Sequence, residues 1–147
     1  MIAGGCFCGA VRYEFPDGAA FNETICHCSI CRRTTGAPFV AWFTVRRVEL
    51  RFQGTLARFN STPGAIRGFC PGCGTQITFE NAAFPDEIDV TTCSLDHPAL
   101  VPPVDHTFAA DKVDWIVLCD GLPCHAGERP GDGFGNVDDE STVRTRM

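Results

Sequence analysis
No stretch of this 147-residue sequence approaches the ~18 consecutive apolar residues that a membrane-spanning helix needs, so a membrane role is not expected. The N-terminus, M-I-A-G-G-C-F-C-G, lacks both a basic start and an apolar core, so it does not read as a secretion signal. Positive charge is also scarce. Twelve Lys and Arg stand against 18 Asp and Glu, for a formal net charge of −6. Proteins that hold a nucleic-acid backbone are usually basic, which disfavours that class of partner. No Ser-His-Asp arrangement, phosphate loop, carboxylate pair or internal repeat stands out. What the chain has in excess is cysteine, ten in all. Without a secretion signal the expected compartment is the cytoplasm, where thiols stay reduced and clustered cysteines point to metal rather than disulfides.

The length suits one domain, and a mean hydropathy of zero with 44% hydrophobic residues suits a globular one. Most of the chain reads as short strands. Val11, Tyr13 and Phe15 alternate with Arg12 and Glu14, F-V-A-W-F-T-V (39–45) is a fuller apolar strand, and V-E-L-R-F (48–52) alternates again. Further strands are expected near 56–59, 66–69, 76–80, 87–93, 105–109 and 115–119, with Gly and Pro at turn spacing between them. A single short helix is expected over 29–35, capped by Ser29 and ended by Gly36. The expected fold class is mainly β, in small sheets. The domain is expected to occupy 1–127, with the Gly-rich, charged stretch 128–147 as a flexible tail.

Seven cysteines fall into three groups: C-x-C at Cys6 and Cys8, C-x-C-x-x-C at Cys26, Cys28 and Cys31, and C-x-x-C at Cys70 and Cys73. C-P-G-C-G-T (70–75) has the form of a zinc knuckle, with Gly72 and Gly74 free to take positive φ. A knuckle gives two ligands and needs two more. Cys6 and Cys8, on one face of an extended chain, complete a closed four-cysteine site of the structural kind. Cys26, Cys28 and Cys31 are left with three sulfurs and an open fourth position, the pattern of a catalytic zinc. His27, His125 and Cys124 are the residues that would close it, His27 the least suited because it points away from Cys26 and Cys28.

Three thiolates make a zinc site formally −1 and a weak activator of water. Such a site suits an incoming thiol, a soft ligand that ionises more easily than water. Arg32, Arg33 and Arg67 are candidate partners for substrate carboxylates, and Thr34, Thr35 and Gly36 form a candidate turn facing the substrate. Of Trp42 and Phe43, one is expected in the core and the other on a pocket wall. Cys93 and Cys119 are expected as small buried hydrophobes, and Cys124 as exposed.

The segments G-G-C-F-C-G-A-V-R-Y-E, C-H-C-S-I-C-R-R-T-T-G-A-P-F and G-T-L-A-R-F-N-S-T-P-G-A-I-R-G-F-C-P-G-C-G-T resemble the glutathione-dependent formaldehyde-activating enzyme (GFA) family, a domain type shared with centromere protein V. C-S-L-D, D-H-T-F and D-W-I-V-L-C-D-G-L-P continue the likeness, which spans about residues 4 to 124; His106 and Trp115 fall at family positions within it. The resemblance implies a β-tent fold with two zinc ions, Cys6, Cys8, Cys70 and Cys73 matching the structural ligands and Cys26, Cys28 and Cys31 the catalytic ones. It also implies glutathione and formaldehyde as substrates, S-hydroxymethylglutathione as product, and a place among carbon–sulfur lyases. The alternative is a non-catalytic, zinc-stabilised module that binds glutathione or a protein. The sequence neither requires nor excludes a homo-oligomer.

Overall fold
The structure, a computed structural model, describes residues 1–130. Its elements are β1 (Ile2–Gly5), β2 (Arg12–Phe15), β3 (Phe21–Cys26), α1 (Ser29–Thr35), β4 (Val40–Arg46), β5 (Arg51–Gln53), β6 (Ala57–Thr62), β7 (Ala65–Phe69), β8 (Gln76–Asn81), β9 (Glu87–Thr91) and β10 (His106–Thr107). They form one sheet of three strands, β1-β2-β5, and one of seven, β10-β3-β4-β9-β8-β7-β6. Pairing is antiparallel except where β10 joins β3. The fold is therefore mainly β with one short helix.

Side-chain alternation separates the two faces of the large sheet. On one face Phe43, Val45, Ile88 and Val90 pack with Val11, Tyr13 and Phe15 in the main core, the rings of Phe15 and Phe43 lying 5.1 Å apart. Each fully buried side chain of this size contributes ~1.5–3 kcal/mol, so this layer holds the two sheets together. On the other face Val40 and Trp42 pack with Cys26, Cys28, Ile30 and Cys31, the residues of α1 and its approach. Phe43 is thus the core residue of its pair and Trp42 the one that faces the site.

Several elements differ from expectation. β1 and β3 carry no alternation strong enough to announce them. The apolar run 115–119 is not a strand: no described residue pairs with it in a ladder, and Trp115 and Val117 are exposed. Its carbonyls are met locally instead, Lys112 Nζ reaching Ile116 O at 2.6 Å. The run 48–52 begins as a 3-10 turn (Arg47–Glu49), and 87–93 ends in another (Thr92–Ser94), which leaves Cys93 exposed. Cys119 is exposed as well. Beyond β10 the left-handed Phe108 (φ 53°) turns the chain into Ala109–Asp111. The helix stands where expected, but Cys28 rather than Ser29 is its N-cap, and Gly36 (φ 70°) closes it by donating its N–H to Arg32 O.

Residues 123–127 run beside β10, with bonds His106 N–H to Pro123 O and His125 N–H to His106 O, both 2.8 Å. Arg129 then donates to Asp105 Oδ2 (2.6 Å) and Asn22 Oδ1 (3.2 Å). Most of the expected tail, 131–147, lies outside the described residues. Among the described residues no helix is long and apolar enough to cross a membrane.

Candidate functional site
Two tight turns meet at the first cysteine group. The chain leaves β1 at Cys6 and turns so that Gly9 N–H bonds Cys6 O at 3.1 Å, a bent rather than extended path between Cys6 and Cys8. The turn from β7 to β8 closes with Gly74 N–H on Cys70 O at 2.8 Å, and Gly74 takes φ 76°. Gly72, expected to share the positive φ, does not; a Cβ there would sit 3.7 Å from the Cys8 sulfur. The sulfurs of Cys6, Cys8, Cys70 and Cys73 all lie within 4.8 Å of one another. Cys6 to Cys8 is 3.5 Å and Cys8 to Cys70 is 3.7 Å. A tetrahedral zinc with ~2.3 Å bonds spaces its sulfurs roughly 3.8 Å apart, whereas a disulfide needs ~2 Å. All ten cysteines are free. The group therefore suits a metal ion. Val11 N–H donates to Cys6 Sγ (3.2 Å), while the Thr75 hydroxyl and nearby backbone N–H groups hold the Cys73 thiol down at about 6. Such donors favour the thiolate that a metal requires.

The second group is built by the start of α1. Cys26 ends β3, Cys28 caps the helix with its sulfur accepting Cys31 N–H at 3.3 Å, and the first turn brings Cys31 round. The three buried sulfurs again lie within 4.8 Å of one another. Among the described residues no fourth His, Cys or carboxylate joins them. The three residues that would have closed the group are engaged elsewhere. His27 Nε2 pairs with His106 Nδ1 (2.9 Å), His125 Nε2 with Asp105 Oδ2 (3.2 Å), and exposed Cys124 with Leu122 O.

The three-cysteine group opens on a cavity of about 120 Å³ whose walls include Thr24, Trp42, Thr44, Arg67, Phe79 and Asp89. Neither Arg32, Arg33, Thr35 nor Gly36 lines it. Arg33 is exposed, and Thr34 and Thr35 donate their hydroxyls to Cys31 O at 3.2 and 2.8 Å. Both threonines border a separate groove with Phe39, Cys93 and Asp96.

Strand register explains why the cavity is polar on one side. Arg67 on β7 lies opposite Phe79 on β8, Phe79 opposite Asp89 on β9, and Asp89 opposite Thr44 on β4. One cross-strand row thus faces the cysteines. Arg67 is only 3% exposed; its Nη2 lies 3.6 Å from Cys31 Sγ and its guanidinium stacks 4.8 Å from the Phe79 ring centre. A buried cation needs an anion close by, and an ionised sulfur group supplies it. The sulfurs of Cys26 and Cys28, then Arg67, hold Cys31 well below the ordinary thiol range.

Asp89 is partly buried and accepts the Thr44 hydroxyl on Oδ1 at 2.6 Å. Burial pushes its carboxyl up to about 7, Thr44 opposing. A carboxyl raised in the folded state favours folding below its unfolded value of 3.8, and that contribution is lost as pH rises towards 7. Asp89→Asn removes the loss. Between pH 5.5 and 8.5 the stability of the variant should therefore gain ~2 kcal/mol on the parent. Thermal unfolding of both proteins across that range measures it, and parallel curves would contradict it.

The sequence pattern of the family described as glutathione-dependent formaldehyde-activating enzyme matches residues 1–111. The chain belongs to the GFA family. A Halomonas elongata protein, provisionally named a glutathione-dependent formaldehyde-activating enzyme, is 27% identical over 129 residues, 80% of this chain and 81% of that one. An uncharacterised lyase of Schizosaccharomyces pombe is 29% identical over 79 residues, covering 52% of this chain and 55% of its own. The crystal structure of a Rhodobacter sphaeroides protein aligns with TM-score 0.51 and 31% identity, over 64% of this chain and 87% of that one.

Within this GFA chain two features carried no sequence signal. Asp89 sits between inward Ile88 and Val90, so alternation alone sends it to solvent; the start of α1 and the chain at Thr107, Phe108 and Arg129 make it part of a cavity. The second is a relay that runs inward from exposed Asp120 to two buried histidines. Asp120 Oδ2 lies 2.9 Å from His106 Nε2, and His106 Nδ1 2.9 Å from His27 Nε2. Asp120 is held ionised, first by Leu122 N–H, so it accepts and fixes the proton on His106 Nε2. His106 Nδ1 then accepts from His27 Nε2–H. The peptide between Cys26 and Cys28 is anchored to β10 by this chain, which no spacing in the sequence announces.

Proposed function
We propose that this chain is a zinc-dependent enzyme that makes or splits the carbon–sulfur bond between the thiol of glutathione and formaldehyde, S-hydroxymethylglutathione being the adduct. The observation that carries the reading is the inequality of the two cysteine groups. Among the described residues Cys6, Cys8, Cys70 and Cys73 complete four donors, whereas Cys26, Cys28 and Cys31 stop at three beside a cavity. Both donor sets fit zinc in sulfur spacing and in the N–H and guanidinium groups turned towards them. Zinc held by the second group would supply a position for one external sulfur and favour its ionised form.

The chain's own residues then set the chemistry. Trp42 and Phe79 wall the cavity with apolar surface, which limits water near the sulfurs. Arg67 places a fixed positive charge beside Cys31, where negative charge gathers as a thiol ionises. Ten unpaired cysteines fit a reducing compartment such as the cytoplasm.

The reading is tested by following adduct formation by NMR exchange against the spontaneous reaction. A rate above background that saturates in glutathione is expected; background rate alone would leave a binding module. Size discrimination follows from the cavity. Trp42, Phe79 and the buried Arg67 stand as fixed walls by the sulfurs, so the branches of a bulky aldehyde meet side chains that a hydroxymethyl group does not reach. Isobutyraldehyde should fall roughly 10- to 100-fold below formaldehyde in kcat/KM relative to their spontaneous rates. Equal ratios would show that the cavity does not hold the aldehyde.

A further inference from the structure
The cross-strand row holds two charged residues that do not satisfy one another. No ion pair joins Arg67 and Asp89, although both line the same cavity and only Phe79 separates them in register. Arg67 spends Nη2 on Cys31, and its Nε and Nη1 have no acceptor. Among the described residues Asp89 receives one hydrogen bond, from Thr44 to Oδ1, while Oδ2 has no partner there and is not among the fully enclosed polar atoms. A carboxyl oxygen left open in the cavity onto which the three sulfurs face can exchange a proton with a thiol bound there, directly or through one water.

Resting on the reading above, we propose that Asp89 is the proton carrier of the site, taking the thiol proton of the incoming substrate and returning it to the carbonyl oxygen of the aldehyde. The step balances without any co-reactant. Asp89 carboxylate accepts the proton from sulfur; a sulfur electron pair forms the bond to carbon. The carbon–oxygen π pair moves to oxygen, and the Asp89 carboxyl protonates it, returning to carboxylate. Cleavage of the adduct runs the same path backwards.

The groups around Asp89 suit the task. Burial is the main influence and holds its carboxyl at about 7, so both protonation states are populated at neutral pH. The facing groups are Thr44 on β4, Glu87 on its own strand, Arg67 on β7 and Cys31 on α1; Thr44 and Arg67 favour the ionised form, while Glu87 and Cys31 oppose it.

The test compares the parent protein with Asp89→Asn, which keeps the shape and an acceptor for Thr44. The catalysed rate should fall at least ~100-fold, the ionisation near pH 7 should vanish from the pH–rate profile, and glutathione affinity by calorimetry should change less than about threefold. Asp89→Glu should recover part of the rate. A second readout needs no turnover. Across pH 6–8, in buffers of different ionisation enthalpy, the number of protons released on glutathione binding should vary with the Asp89 ionisation in the parent and stay constant in Asp89→Asn, because the bound thiolate raises the Asp89 carboxyl further. Unchanged rate and proton release in Asp89→Asn overturn the proposal, as does an equal rate loss in Thr44→Val, which would mark a structural hydrogen bond. Should the parent neither bind glutathione nor exceed the spontaneous rate, the proposed function fails first. Normal binding and catalysis with an indifferent Asp89→Asn defeats this inference alone.

Discussion

Removal of metal from the four-cysteine group by a chelator should unfold this domain, and Cys70→Ala should do the same without a chelator. Cys70 is fully buried, and both it and Cys6 belong to the main core beneath the group. The group ties the β1–β2 turn of the small sheet to the β7–β8 turn of the large one. That link closes a loop of more than sixty residues (Cys8 and Cys70 are 62 apart), so its loss frees much chain entropy. Structural zinc in peptides of this kind supplies on the order of 10 kcal/mol of folding free energy, as large as the whole stability of an ordinary domain. Cys70→Ala should therefore show no cooperative thermal transition in circular dichroism at 37 °C. A transition within a few degrees of the parent would mean the packed core, not the metal, holds the sheets together.

Cys28→Ser should have an effect of similar size on function and little on the fold. Serine keeps the N-cap of α1, since its oxygen accepts the Cys31 N–H that the sulfur now accepts. A serine hydroxyl is a poor zinc ligand, however, and the remaining Cys26 and Cys31 offer two sulfurs. Metal content should drop from about two zinc per chain to about one, glutathione binding should disappear, and the rate should fall to the spontaneous value. The thermal transition should stay cooperative, because the other group is untouched. A variant with full zinc and full rate would remove Cys28 from the site; one that unfolds would show that both groups serve the fold.

The seven clustered cysteines were legible because metal ligation imposes spacing on short segments. A turn of helix after C-x-C, or a knuckle of two cysteines, is local geometry that a sequence carries openly. The faces of β4 were legible for a similar reason, Phe43 and Trp42 being neighbours on a period-two strand. Arg67 drew notice as a cation near the knuckle, but its place beside Cys31 depends on the register between β7 and β8, which is long-range. Asp89 is harder still. Alternation placed it opposite the core, and nothing within its own strand shows that distant segments enclose a cavity on that face. Arg32 and Arg33 illustrate the converse: they follow Cys31 along the helix, yet neither lines the cavity, whose walls come largely from the sheet. The apolar run 115–119 has strand composition without a strand partner.

The division between a closed and an open sulfur group is tested most directly by cadmium NMR of the protein with cadmium in place of zinc. Two resonances are expected, one in the all-sulfur region and one shifted towards mixed sulfur and oxygen donors. Glutathione should carry the second into the all-sulfur region and leave the first where it was. Two all-sulfur resonances before glutathione is added, or a second resonance that glutathione does not move, would contradict the account.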